Sequence, residues 1–396
     1  MGFRESAEKN EAYIIEQRRY FHKYPELSFE EKETTEAIGQ QLSELGIEPH
    51  YFEGYYGVWG LIRGGQAGTD SKTVVLRADI DALPVEEKTG LPFASRNSGV
   101  MHACGHDNHI AMLLGAAKLL MERREELKGN VKLFFQSAEE SCHGAEYYVQ
   151  NGFFDDADAV YGAHVSGNLD APLINVEAGA RMASCDNFTI TVRGKSSHGS
   201  APQYGVDAIV AAASVVLQIQ TLVSRKNDPR NPLVVTIGEI VGGQRFNIIA
   251  NEVVMKGTVR THSGEVRGQI EGWIQQVLQG VAITYGAEIE LDYEYYPAPL
   301  VNDEKLTRIA RNAVRSLYGE EALDQLPADM GSEDFAYFLD RVPGVYAFIG
   351  TRNEEKGLTA KNHNDHYDVD ESVLKRGAAL YAQFAYDYLN AQASDR

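Results

Sequence analysis

Residues 101–140 read MHACGHDNHIAMLLGAAKLLMERREELKGNVKLFFQSAEE. The stretch is a polar loop, an apolar run of helical character, a strand-like run and a second polar loop. Residues 108–124 predict a helix, with Asp107 at its N-cap, where a carboxylate accepts backbone N–H groups. Residues 131–136 predict a strand. Outward from this unit, 58–62 and 73–77 are short apolar runs bounded by Gly, Asp and Ser, and 159–163 is another. All three predict strands. Helical periodicity marks 8–22 and 30–45, separated by Pro25 and stopped by Gly46, and a further helix is expected near 143–151. Strands alternating with helices imply an α/β domain with a largely parallel sheet.

The middle of the chain changes character. Residues 187–193 alternate, with Phe188, Ile190 and Val192 on one face. A long apolar helix is expected over 206–224, strands over 233–241 and 252–261 joined through Gly242-Gly243, a helix over 265–285 and a strand over 287–296. The order β-α-β-β-α-β is the ferredoxin-like split motif. Pro297 and Pro299 then mark a boundary. The α/β pattern resumes with a helix over 303–318, a short helix from Glu333, a strand over 345–349 and a last helix over 371–391. The expected organisation is an α/β domain of residues 1–184 and 297–396, interrupted by an α+β domain of residues 185–296.

The chain has 396 residues and a formal charge of −20. So acidic a surface repels phosphate backbones and anionic lipid, which argues against nucleic-acid and membrane partners. No apolar run reaches the roughly 18 residues a bilayer span needs. Residues 1–19 are charged throughout and read as a helix rather than a signal peptide. Three cysteines, Cys104, Cys142 and Cys185, cannot make a disulfide framework, which fits a cytoplasmic location.

The loop 101–109 gathers Cys104, His102, His106, His109 and Asp107. Thiolate and imidazole are the side chains that best hold a transition metal. Other polar clusters sit where α/β sheets collect ligands, beyond strand ends. These are Arg77-Ala78-Asp79-Ile80-Asp81, Ser137-Ala138-Glu139-Glu140, His164, and His363 in Asn362-His363-Asn364-Asp365-His366. Two adjacent buried carboxylates do not both stay ionised without a cation. A metal resolves the conflict if one of Glu139 and Glu140 binds it and the other serves as a base. His102, His109 and His366 flank this set, either as donors that support the ligands or as packing. Cys142, His143 and Cys185 read as structural, and His22 and His50 as surface residues.

These residues resemble a known family. His102-Ala103-Cys104-Gly105-His106-Asp107, Ala138-Glu139-Glu140, His164 and Gly331-Ser332-Glu333-Asp334-Phe335 are similar to motifs of the dinuclear-metal amidohydrolases. That group includes aminoacylases, hippurate hydrolases and auxin-conjugate hydrolases. The resemblance runs from Tyr24-Pro25-Glu26-Leu27 to the His363 region. It implies metal ligands at Cys104, His106, Glu140, His164 and His363, two divalent ions (Zn²⁺ or Mn²⁺), and Glu139 as general base. Where the wider superfamily has a ligating His-x-Asp, this chain has Arg77-Ala78-Asp79, so Asp79 is expected to support a ligand rather than to be one. The resemblance makes 185–296 a lid and dimerisation domain and the protein a homodimer or higher homo-oligomer. It also implies substrate contacts from His198, in Gly194-Lys195-Ser196-Ser197-His198, and from Asn247 and Arg260. Two departures stand out. Asn247-Ile248-Ile249-Ala250 lacks the family's following proline, and Ser141-Cys142-His143-Gly144 replaces a glycine-rich loop.

The expected activity is hydrolysis of a small N-acyl-amino acid to a carboxylate and a free amino acid. Two rivals are a metallo-dipeptidase or carboxypeptidase on the same scaffold, and a catalytically silent ligand-binding protein.

Overall fold

The strand Thr73–Asp79 is buried along its whole length, Arg77 and Asp79 included, as a central strand of a largely parallel sheet should be. The computed structural model describes residues 2–391. Its chain divides into a first unit of Met1–Gly179, Val301–Pro327 and Asp334–Arg396 and a second of Ala180–Leu300 and Ala328–Glu333.

The first unit is built on a seven-stranded sheet in the order Pro49–Tyr51, Val58–Arg63, Asn130–Gln136, Thr73–Asp79, Ala159–Asp170, Gly344–Arg352, Ile174–Asn175. The four strands from Asn130–Gln136 to Gly344–Arg352 are mutually parallel. The outer three are antiparallel to their neighbours. The sheet is thus largely parallel at its centre, and sequence periodicity did not distinguish its antiparallel edges. The helix His106–Glu122 packs between Glu11–Lys23 and Leu374–Asn390. The approach is close: a Cβ on Gly377 would lie 2.0 Å from Met112 Sδ.

Four local expectations need correction. The central helix begins at His106, two residues early, and its N-cap is Gly105, with no side-chain cap. Asp107 is instead fully buried and pairs with Arg18 and His22. His22, expected at the surface, is 1% exposed. The strand expected over 159–163 continues to Asp170, so His164 lies within it. The short helix expected from Glu333 is Ala336–Leu339.

The second unit has the order strand Asp186–Arg193, helix Ala208–Thr221, strands Leu233–Gly242 and Glu252–Thr261, helix Gly264–Tyr285 and strand Glu288–Tyr295. This is the anticipated β-α-β-β-α-β sequence. The strands form one antiparallel sheet, with Asp186–Arg193 between Glu288–Tyr295 and Glu252–Thr261, and Leu233–Gly242 at an edge. Phe188, Ile190 and Val192 meet Ala211, Val215, Ile270 and Ile274 in a single core. The segment Ala208–Lys226 is long and apolar enough by composition to cross a bilayer. Ser214, Gln218 and Gln220 interrupt it, so counting consecutive apolar residues overlooks it. Here its Ala211, Ala212, Val215 and Ile219 are core residues.

Candidate metal centre

Gly105 allows the thiol loop to exist. Its φ of 93° is in the left-handed region, where a side chain is strained. A Cβ there would also lie 2.6 Å from Val165 Cγ2. The turn lets Cys104 and His106 face the same space. Glu139 and Glu140 ride on a single turn, Glu139–Ser141, after the strand Asn130–Gln136. That turn is flanked by two non-glycine residues with positive φ, Ala138 at 62° and Cys142 at 58°. Strain of this kind persists where the surroundings over-determine the backbone. Here Glu31 accepts the Ser137 hydroxyl and the Ala138 N–H, both at 2.8 Å. Gly144 closes the loop, since a Cβ there would meet the Ser137 and Ala138 carbonyl oxygens at 2.4 Å. His363, with φ 69°, is fastened to the thiol loop twice. Its N–H donates to Ala103 O at 2.7 Å, and Asn362 Nδ2 donates to Cys104 O at 2.8 Å.

The residues singled out in the first unit converge. Cys104 Sγ lies 3.4 Å from His164 Nε2 and 3.2 Å from His363 Nε2. His363 Nε2 is 3.4 Å from Glu140 Oε1. His106 Nε2 is 3.9 Å from Glu140 Oε1 and 4.0 Å from Glu139 Oε2. Three overlapping groups therefore have donor atoms close enough to hold an ion: Cys104-His106-His164, Cys104-Glu140-His363 and His106-Glu139-Glu140.

The groups behind them fix their direction. His106 Nδ1 contacts Asp81 Oδ1 at 3.1 Å, which turns Nε2 inward. Asp81 Oδ2 accepts the Ser28 hydroxyl at 2.6 Å and the Glu140 N–H at 3.0 Å. His164 Nδ1 donates to Val165 O at 2.7 Å, leaving Nε2 toward Cys104. Partners of this kind orient ligating histidines and raise their basicity. Asp79 bonds His109 and the Arg77 guanidinium. Arg77 in turn reaches Asp334 at 2.9 Å.

The electrostatics call for a cation. Burial pushes the Cys104 thiol well above its ordinary pKa, and Glu140 and Glu139 push it further. Burial opposes charge on His106, but Asp79, Asp81 and Glu140 outweigh it and raise the imidazole to about 10. Without another cation, then, the acidic cluster draws a proton onto a buried ring. His106 Nε2 is buried and has no hydrogen-bond partner among the described residues. Thiol, imidazole and carboxylate donors with an orphaned, inward-aimed nitrogen fit divalent metal.

Sequence reasoning missed Glu31, a buried carboxylate whose partners Ser137 and Ala138 lie far along the chain. It placed Asp81 and His109 near the site without fixing which side chain each supports. One signal was available for the buried group behind the thiol loop. Ile14, Arg18, Phe21 and His22 share one face of the helix Glu11–Lys23, so Arg18 and His22 belong on its apolar side.

In the second unit, the loops of His198 and Asn247 pair. Gly199 N–H donates to Asn247 O and Ile249 N–H to Ser197 O, each at 2.9 Å. His198 is exposed, with Nδ1 accepting the Ser200 N–H at 3.1 Å. Where the proline is missing, Ala250 is buried and its carbonyl accepts the Ala208 N–H at 3.1 Å. Arg260 Nη1 donates to Ser332 Oγ at 2.9 Å.

The chain is 40% identical over 372 residues to an N-acetyl-L-cysteine deacetylase of Bacillus subtilis strain 168, covering 94% of this chain and 87% of that protein. It is 38% identical over 385 residues to thermostable carboxypeptidase 1 of Saccharolobus solfataricus, covering 96% of each. Among solved structures, a Bacillus subtilis protein described as a dinuclear metal binding peptidase from the M20 family superposes with a TM-score of 0.86 at 34% identity. That match covers 97% of this chain and 100% of the other. The model of peptidase family M20/M25/M40 matches residues 75–387. The chain belongs to peptidase family M20/M25/M40 and is a metal-dependent hydrolase of amide bonds.

Proposed function

We propose that the chain hydrolyses N-acyl-amino acids, releasing a carboxylate and a free amino acid. The observation that carries this reading is the position of Glu139. It is buried on the same turn as Glu140, its carboxylate 4.0 Å from His106 Nε2, at the edge of a donor set that asks for a cation. A site for metal storage needs no second carboxylate there.

Cys104, His106, Glu140, His164 and His363 hold two divalent ions, Zn²⁺ or Mn²⁺. Thiolate and imidazole suit zinc, and the carboxylate admits manganese. Bound ions of this kind polarise the amide carbonyl and lower the pKa of water. Glu139 accepts a proton as water adds to the carbonyl carbon. It then delivers that proton to the departing amine nitrogen as the C–N bond breaks. Arg260 is the partner for the substrate carboxylate, a group that guanidinium recognises through paired hydrogen bonds. Ser332 keeps the Arg260 head in place. His198 stabilises the oxyanion and Asn247 orients the substrate. The paired loops that carry these two residues support a joint role.

A second copy of the chain is the partner we assign to the edge strand Leu233–Gly242. Val234, Ile240 and Val241 on it are exposed, as are Ile209, Val210 and Leu217 of the helix Ala208–Thr221. Three cysteines, Cys104, Cys142 and Cys185, too few for a disulfide framework, suit a reducing compartment such as the cytoplasm.

Carboxypeptidase action is a second reading, favoured by the similarity to the thermostable carboxypeptidase. The deciding assay compares N-acetyl-amino acids with unblocked dipeptides, each read by release of free amine. Turnover confined to unblocked dipeptides would replace the first reading with the second.

A further inference from the structure

The strand Ala159–Asp170 outruns one of its neighbours. Thr73–Asp79 pairs with it only from Ala159 to Gly162. On the other side, Gly344–Arg352 stays in register as far as Ser166. His164 therefore projects from a strand that has lost half its ladder. Two side chains continue it. Tyr381 Oη accepts the Ala163 N–H at 3.0 Å, and His109 Nε2 accepts the Val165 N–H at 2.9 Å.

We infer that His109 is the positioning residue for His164, tying the backbone beside that histidine to the Asp79 carboxylate. The inference rests on reading Cys104 and His164 as metal holders. An imidazole that accepts at Nε2 carries its proton on Nδ1, and Nδ1 faces Asp79. One tautomer is thus selected, and both ring nitrogens are committed. His109 is fully buried. Its ring meets the His164 ring edge-on, with centroids 4.5 Å apart at 72°. Arg77 bonds the other Asp79 oxygen at 2.7 Å, so the carboxylate cannot swing away. His109 acts at two points: it holds the N–H of Val165, the residue whose carbonyl accepts from His164 Nδ1, and it packs against the ring itself. Metal affinity and geometry at Cys104-His164 should depend on a residue whose own nitrogens are both turned elsewhere.

Two variants separate the two bonds. His109→Asn can still donate to Asp79 but does not reach Val165. His109→Gln presents a carbonyl near the former Nε2 and can still accept the Val165 N–H. The full chain would be reconstituted with Co²⁺, whose visible bands and thiolate charge-transfer absorption report the site directly. The expected result for His109→Asn is about 10–100-fold weaker binding of one ion, the range for lost supporting contacts. Its charge-transfer band should shift, and its metal-free melting temperature should fall by no more than the few degrees that one unpaired buried N–H costs. His109→Gln should recover part of both metal signals. Parental Co²⁺ affinity and spectrum in His109→Asn would overturn the inference. So would a collapse of the metal-free melting temperature in both variants, which marks plain packing. If the parent itself bound no Co²⁺, the metal reading would fall first, and that outcome is separable because it appears before any substitution.

Discussion

Asp81 and His106 are joined at 3.1 Å through the ring nitrogen that faces away from Glu139 and Glu140. The same carboxylate accepts the Glu140 N–H, so one buried side chain aims two groups proposed to touch metal. Asp81→Asn keeps the volume but removes the charge and offers N–H groups where only acceptors are wanted. The expected outcome is about 10–100-fold weaker metal binding, measured by competition with a chelating dye. Unchanged affinity would show that His106 needs no such support.

Glu139→Gln tests the division of labour between the paired carboxylates. The amide keeps the shape and cannot take a proton. Metal content by elemental analysis should stay near the parent's, while kcat falls by about two to four orders of magnitude, the usual contribution of a general base. Turnover near the parental rate would remove Glu139 from that role.

Gly105→Ala should damage both fold and site. The left-handed backbone costs an alanine roughly 1–2 kcal/mol, and the new Cβ would press on Val165 Cγ2. Yielding there would move the strand that carries His164. A lower melting temperature together with weaker Co²⁺ charge-transfer absorption is expected. A parental melt would mean the loop can be rebuilt without glycine.

The parts of the molecule legible in the sequence were those set by local period and by chemistry packed into short motifs. The two α/β segments and the split β-α-β-β-α-β unit followed from alternation and turn residues. Cys104, His106, Glu139 and Glu140 stood out because few other roles gather such groups within a few residues. What stayed hidden depends on long-range pairing. Val58–Arg63 looks like any half-apolar strand, and only its register against Asn130–Gln136 makes it antiparallel. Asp107 has the composition of an N-cap, but the positive charge of Arg18, 89 positions away, draws it inward. His109 could be placed near the site, as a supporting donor or as packing, but not given one task, since its partners are Asp79 and a backbone N–H on the adjacent strand.

The exposed edge at Leu233–Gly242 carries its own prediction. Long apolar edges are normally blunted or covered. Lysine at Ile240, which is 56% exposed, should leave the monomer fold intact. If the proposed pairing of two copies occurs along this edge, it should halve the mass measured by light scattering on a size-exclusion column. A parental mass in Ile240→Lys would move the interface elsewhere.

Asp370 gives the acid limb of stability a specific origin. Its carboxylate accepts from Lys356 Nζ and Asn353 Nδ2 at 2.7 Å and from the Ser372 N–H at 3.1 Å, at the turn that opens into the helix Leu374–Asn390. Burial opposes ionisation, but these donors outweigh it and lower the pKa to about 2. The unfolded chain has the ordinary value of about 3.9. A carboxyl whose folded pKa is depressed lends stability that is complete above the unfolded value and disappears as pH falls through the folded one. Asp370→Asn should therefore be less stable than the parent at neutral pH, by about 1 kcal/mol on the scale of a lost N-cap. The gap should begin to close below about pH 4 and be nearly gone near pH 2, measured by urea melts of the metal-free chain. A gap that stayed constant down to pH 2 would mean the Asp370 charge adds nothing beyond its shape.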